Sequence, residues 1–209
     1  MSKFRCEVCG TPFDVPPSVL KKYPGWKPKH CRAHSPKKAS RGGRATTLVE
    51  ENLTLAQVLA RYGGGPADGV FTDGSAHPNP GPGGWGVVWV HGGNVVAQSH
   101  GHESATTNNR MELRALIEAY RMLPADAALS IYTDSKLCVD TITKWAAGWE
   151  RRGWTRKGGE IKNLELVQEL YTLARAHPRC RLEWIAAHSG NRWNEYADSL
   201  STAWLRDEL

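Results

Sequence analysis

The sequence predicts an α/β domain built on a five-stranded mixed sheet flanked by helices, preceded by a small Cys/His-rich module. Three observations lead there. Along residues 68–207 the apolar period alternates between about two and between three and four, the marks of strands and amphipathic helices. The elements so defined run β-β-β-α-β-α-α-β-α, a hairpin meander followed by crossovers, which implies a mixed sheet with helices on its faces. Cys6, Cys9, Cys31 and His34 crowd into the first 36 residues.

Taken in order, Gly69-Val70-Phe71-Thr72 is a short apolar run that ends at Asp73. Residues 85–90 and 95–101 read as two further strands, joined by His91-Gly92-Gly93-Asn94, a good hairpin turn. Leu113, Leu116, Ile117, Tyr120 and Leu123 mark an amphipathic helix that Pro124 ends. A fourth strand covers 129–133 and a second helix 135–145. Residues 161–176 form another helix with Ile161, Leu164, Val167, Leu170 and Leu173 apolar. Residues 180–185 alternate as the fifth strand, and 193–205 make the last helix. Before this domain of residues 68–209, residues 1–36 form the module and 37–67 a basic, Gly-rich linker. Thr54 can cap a short helix there, with Leu55, Val58 and Leu59 on one face.

At 40% hydrophobic and 23% charged residues, the composition is that of a globular protein. No run of about 18 apolar residues occurs, which excludes a spanning helix. MSKFRCEVCG lacks the apolar core of a signal peptide, so a cytoplasmic protein is expected. The closing Arg206-Asp207-Glu208-Leu209 resembles an ER-retention tail and is read as coincidence. Residues 1–50 hold 11 of the 27 Lys/Arg but 3 of the 21 Asp/Glu. A basic arm on a near-neutral body suggests a polyanion such as nucleic acid, with a solubilising tail as the alternative.

The acids of the main domain fall at suggestive places. Asp73 sits within the first strand or at its end, Asp134 closes the fourth, and two strands linked by crossovers can lie side by side. Glu112 starts the first helix and Asp198 sits in the last. Four carboxylates at one point repel unless cations lie between them. Mg²⁺ prefers oxygen ligands, and two such ions about 3.5–4 Å apart can activate water and stabilise the leaving oxygen of a phosphodiester. Each acid alone would also fit a helix cap or a surface position.

Motifs add to this. Thr72-Asp73-Gly74-Ser75 with Asn79-Pro80-Gly81-Pro82-Gly83-Gly84-Trp85-Gly86, then Thr106-Thr107-Asn108-Asn109-Arg110-Met111-Glu112-Leu113, then Tyr132-Thr133-Asp134-Ser135, then HSGNRWNEYAD from His188 to Asp198, occur in that order. Together they resemble type 1 ribonuclease H over roughly 140 residues. The resemblance implies a ribonuclease H-like fold and an endonuclease that cuts the RNA strand of RNA–DNA hybrids. It implies two Mg²⁺ or Mn²⁺ ions on Asp73, Glu112, Asp134 and Asp198, and ends carrying 5′-phosphate and 3′-hydroxyl. His188 corresponds to the family's mobile-loop histidine, thought to assist proton transfer or product release. A monomer is expected. Rival readings are a retroelement-type or resolvase-like nuclease of the same fold and a non-catalytic hybrid-binding module.

Discriminating RNA from DNA requires reading the 2′-hydroxyl. Asn79, Asn108 and Asn109 carry amides able to do so, Thr107 precedes the latter two, and Gly74 lets backbone approach a strand. Residues 144–162 hold six Lys/Arg, among them Arg151, Arg152 and Lys157, against two Glu, with Trp145, Trp149 and Trp154 interleaved. This stretch resembles the basic protrusion of many type 1 enzymes, and Trp145 matches the family's channel tryptophan. Trp149 and Trp154 are expected in the protrusion's core. Where some members carry a further Trp, this chain has Leu166-Val167.

Cys6-x₂-Cys9 and Cys31-x₂-His34 are paired ligands with the spacing of a tetrahedral Zn²⁺ site. His30 is an alternative ligand. The stretch resembles small zinc ribbons, with Phe13 and Tyr23-Pro24-Gly25-Trp26 as a minimal apolar core, and a segment this short needs a metal to fold. A Cys₃His set leaves no open position for chemistry, which argues against a zinc hydrolase. The module is expected to add nucleic-acid affinity, with protein binding as the alternative. Cys138 and Cys180 are expected in the core, on a helix and a strand.

Overall fold

The computed structural model describes residues 2–31, 33–34, 52–206 and 209. Residues 35–36 of the expected module, 37–51 of the expected linker and two residues of the RDEL tail lie outside the described residues. Contacts divide the chain into two compact units, Met1–Glu50 and Glu51–Leu209.

In the first unit, β1 (Ser2–Arg5) pairs antiparallel with β2 (Pro12–Val15), setting Phe4 opposite Phe13. Their rings lie 6.1 Å apart. Helix α1 (Pro17–Lys22) follows, started by proline, whose fixed φ suits a first turn. Cys6 and Val15 are buried, whereas Tyr23 and Trp26 are not: they are 54% and 50% exposed. The expected aromatic core is therefore corrected. A hairpin and one short helix provide no second layer to close over both rings, and of the three cysteines only Cys6 is buried.

The second unit opens with α2 (Leu55–Arg61), capped by Thr54 and Gln57 in a reciprocal capping box. Leu55 and Val58 are buried among Trp193, Tyr196 and Leu200, while Leu59 is 40% exposed. The sheet comprises β3 (Gly69–Ala76), β4 (Gly81–His91), β5 (Asn94–Thr106), β6 (Ser130–Thr133) and β7 (Arg181–Trp184). Their order is β5-β4-β3-β6-β7. The meander pairs antiparallel; β6 runs parallel to both β3 and β7. Gly92 and Gly93, at φ of 57° and 74°, make the β4–β5 turn that needs left-handed residues. The central strands are buried on both faces. Val70 and Val87 face one core cluster, and their neighbours Phe71 and Val88 face the other.

Helix α3 (Asn108–Met122) is capped by the Thr107 hydroxyl. Helices α4 (Lys136–Asp140) and α5 (Ala146–Glu150) are joined by a π-helical turn at Thr141–Trp145, so the second helix outruns its expected end at 145. Helix α6 (Leu164–Ala176) begins three residues later than periodicity suggests, because Asn163 takes a left-handed φ of 54°. Ile161 is nonetheless buried in the core. Helix α7 (Arg192–Ser201) ends at Thr202 and passes into a 3₁₀ turn, Ala203–Leu205. Cys138 is buried, but Cys180 is half-buried in the turn before β7 rather than on it. Among the described residues no helix is long and apolar enough to cross a membrane.

Candidate active site

The sheet brings the acids of two strands together. Thr72 of β3 sits beside Thr133 of β6 in parallel register, so Asp73 and Asp134 leave adjacent strands at the same level. Two helices then close on that end. At Gly74, a Cβ would overlap the backbone of Met111 and Glu112, so only a glycine admits the first turn of α3 this close to β3. At Gly86, which pairs with Asp73, a Cβ would overlap Ala197 O and lie 2.5 Å from Leu200 Cβ and 2.7 Å from Ser201 N, so α7 rests on bare backbone. These two approaches deliver Glu112 and Asp198 to the cluster.

Electrostatics report the convergence. The Asp73 carboxyl is held well above the ordinary carboxylate range, first by burial, then by the charges of Asp198 and Asp134, with Glu112 adding less. The Ser201 hydroxyl, donating to Asp73 Oδ2 at 2.6 Å, opposes this. Burial also raises Glu112, against the Ser135 hydroxyl that donates to Glu112 Oε2, and the Asp134 charge raises it further. Asp134 is raised by burial against the Asn194 side chain and the charge of His188. Asp73 feels the charges of the other three acids and Glu112 that of Asp134, a repulsion that a hard cation would relieve, and the all-oxygen donor set suits Mg²⁺ or Mn²⁺.

The sequence reading missed Ser135, Asn194 and Ser201. Ser135 and Asn194 lie inside the quoted motifs, directly after Asp134 and four residues before Asp198. Ser201 had only its position one turn past Asp198 as a signal. Helix α7 is held from the N-terminal side as well: Ser199 Oγ donates to Leu53 O at 2.6 Å, and Arg192 Nε donates to Tyr62 O at 2.6 Å.

His188 is exposed, with a left-handed φ of 47°, in the loop before α7. Asn79 Oδ1 accepts from Asn108 N at 3.3 Å, and Asn108 Oδ1 accepts from Ala76 N at 2.7 Å, which ties the end of β3 to the start of α3. Asn109 is exposed and shares a cavity of about 130 Å³ with Leu137 and Trp145. Trp145 is 40% exposed, and its ring lies 5.9 Å from Trp149, which is buried. Trp154 is half-buried, edge-on to Tyr171 at 6.0 Å. Arg151, Arg152 and Lys157 are exposed, and Arg152, Arg156 and Lys157 line a hollow with Trp145 and Trp149. Leu166 and Val167 are buried and offer no ring to a ligand.

A family model described as RNase H matches residues 67–205.

The chain belongs to the ribonuclease H family.

A ribonuclease H of Hahella chejuensis is 40% identical over 141 residues, covering 67% of this chain and 94% of the relative. One of Methylorubrum extorquens is 43% identical over 140 residues, 67% of this chain, which thus spans 60% of that relative's length. Among solved structures, LC9-RNase H1, described as a type 1 RNase H with the type 2 active-site motif, superposes with a TM-score of 0.54 at 33% identity, covering 68% of this chain and 74% of that one. The ribonuclease H match begins after α2, so the first unit lies outside it.

In that first unit, Cys6, Cys9, Cys31 and His34 bring one ligand atom each within 4.8 Å of the others; no carboxylate set is so tight among the described residues. Cys31 Sγ lies 3.4 Å from His34 Nδ1 and 3.9 Å from Cys9 Sγ, and Cys6 Sγ lies 3.7 Å from His34 Nδ1. A tetrahedron with bonds of about 2.3 Å has edges of about 3.7 Å, so the group fits Zn²⁺. Burial opposes ionisation of Cys6, but backbone N–H groups of Cys31, Cys9 and Val8 outweigh it and bring the thiol down to about 5. His30 stands outside this group.

Proposed function

We propose that this ribonuclease H is an endonuclease that hydrolyses the RNA strand of RNA–DNA hybrids, leaving 5′-phosphate and 3′-hydroxyl ends. The observation that carries the reading is geometric: β3 and β6 set Asp73 and Asp134 side by side, and the close approaches at Gly74 and Gly86 bring α3 and α7, with Glu112 and Asp198, onto the same end of the sheet, where burial and then the neighbouring acids raise the Asp73 carboxyl. In this reading Asp73, Glu112, Asp134 and Asp198 hold two Mg²⁺ or Mn²⁺ ions. When bound, the ions supply the Lewis acidity that activates a water and steadies the leaving oxygen. The chain's own residues do the rest. Ser201, Ser135 and Asn194 fix the orientation of Asp73, Glu112 and Asp134, so the ligand oxygens need little reorganisation. His188, exposed and able to act on Asp134 by charge, would pass a proton to the departing 3′-oxygen or speed product release.

Asn79, Thr107, Asn108 and Asn109 would read the RNA strand beside the acids, with Gly74 keeping the backbone open to it. Trp145 with Arg151, Arg152 and Lys157 would take the DNA strand, ring on sugar and cations on phosphates. Zn²⁺ on Cys6, Cys9, Cys31 and His34 would staple a module of residues 1–36, joined through 37–67 to the nuclease of 68–209. The set is closed, which suits a structural ion. The basic module adds nucleic-acid affinity, and the protein acts as a cytoplasmic monomer. The test is one end-labelled hybrid incubated with Mg²⁺ beside matched RNA–RNA and DNA–DNA duplexes. Cleavage of the hybrid's RNA strand alone is expected; an intact hybrid in both Mg²⁺ and Mn²⁺ refutes the reading.

A further inference from the structure

The first unit carries a surface that hybrid cleavage does not use. Tyr23 and Trp26 follow α1, are 54% and 50% exposed, and meet edge-on with ring centroids 6.5 Å apart. Lys22 Nζ lies 5.9 Å from the centre of the Tyr23 ring. Residues 17–29 contain four lysines, Lys21, Lys22, Lys27 and Lys29, and no acid. All four are exposed, and Lys29 is paired with Glu7 at 3.4 Å, leaving a cationic face around the rings.

A module this small gains most by hiding its largest apolar side chains, and here it leaves two of them half in water. Aromatic faces set among ammonium groups are what an unpaired strand needs: bases stack on the rings and phosphates meet the charges. A duplex has its base faces covered by its own stacking and offers the rings nothing along its length. An acidic peptide would satisfy the lysines but leave the two rings without a matched partner.

We propose that Tyr23 and Trp26, with Lys21, Lys22 and Lys27, form a site for an unpaired nucleic-acid strand, such as the single-stranded flank of a hybrid. The proposal rests on the reading of the module as nucleic-acid-binding and gives that reading a strand type and residues. Base stacking on the rings and phosphate contacts to the lysines do not involve the 2′-hydroxyl, so the site accepts RNA and DNA strands alike.

The experiment uses the full zinc-loaded chain without added Mg²⁺ and measures anisotropy of labelled 12-nucleotide single-stranded DNA and RNA of one sequence, and of the blunt DNA duplex. Trp26→Ala is expected to weaken both single strands by about tenfold and the duplex by less than about twofold, with Trp26→Phe near wild type. Lys22→Gln, at an exposed position that does not threaten folding, is expected to lower the salt slope of single-strand binding by about 0.7. Unchanged single-strand affinity in Trp26→Ala together with an unchanged slope in Lys22→Gln overturns the proposal. So does equal loss for strand and duplex. A lowered Tm of the nuclease unit with single-strand affinity intact also overturns it, since the rings then cover the chain's own second unit. Because cleavage is not read, failure of the nuclease reading would appear separately, as uncut hybrid with strand binding retained.

Discussion

Gly86→Ala should damage catalysis without touching a single acid. Gly86 pairs with Asp73 across β3 and β4, and α7 lies directly on it. The new methyl would sit 2.5 Å from Leu200 Cβ, where ordinary contact begins at 3.4 Å, and would overlap Ala197 O. The obstacle is largely backbone, so α7 must retreat by about 1 Å. Overpacking of this kind costs about 1–3 kcal/mol, which for a unit of this size lowers Tm by roughly 2–12 °C. The same retreat carries Asp198 away from the cluster and pulls Ser201 from Asp73. A misplacement of about 1 Å in a catalytic constellation costs on the order of 10²-fold in rate. Thermal unfolding and single-turnover hybrid cleavage measure the two effects. A variant with wild-type Tm and a rate within about threefold of wild type would refute the argument that bare backbone at Gly86 sets the position of Asp198.

Other outcomes follow from the same physics. Because Asp73 is raised in the folded state, its contribution to the stability of the metal-free protein is full below the ordinary Asp value and is lost as pH rises through the raised one. Asp73→Asn should therefore gain stability relative to wild type as pH rises, and a difference that stays constant or reverses counts against the cluster. Burial pushes the Cys138 thiol up to about 12, so iodoacetamide at pH 8 should leave it unmodified in the native protein; labelling at the rate of a free thiol would contradict its burial. Zinc chelation should abolish amide-exchange protection in residues 2–34, since metal affinity is the folding energy of such a module, and leave the nuclease unit's Tm unchanged. Persisting protection would mean that the module folds without metal.

Much of this was legible beforehand because it is written locally. The strands around Val70 and Val87, the α3 repeat and the Thr54 cap follow from spacing and short-range chemistry. The pairing of Asp73 with Asp134 needed only the inference that β3 and β6 are neighbours. What escaped is non-local. Ser201 serves Asp73 from 128 residues away, and nothing in its flanking residues marks a hydroxyl aimed at a strand. The late start of α6 turns on one left-handed residue, Asn163. The π turn at Thr141–Trp145 carries the second helix past its expected end at 145 to Glu150. Tyr23 and Trp26 were expected inside because aromatic residues in a short module usually are; the reverse outcome is a property of the surface, which hydrophobicity alone does not encode.

The most direct test is hybrid cleavage by Asp134→Asn in saturating Mg²⁺, with hybrid affinity measured on the same preparation. The substitution keeps shape and removes one ligand charge. Affinity near wild type with cleavage reduced by about 10²-fold or more is predicted. Near-wild-type turnover by a folded Asp134→Asn protein would contradict the assignment of the four acids as the ion-holding centre.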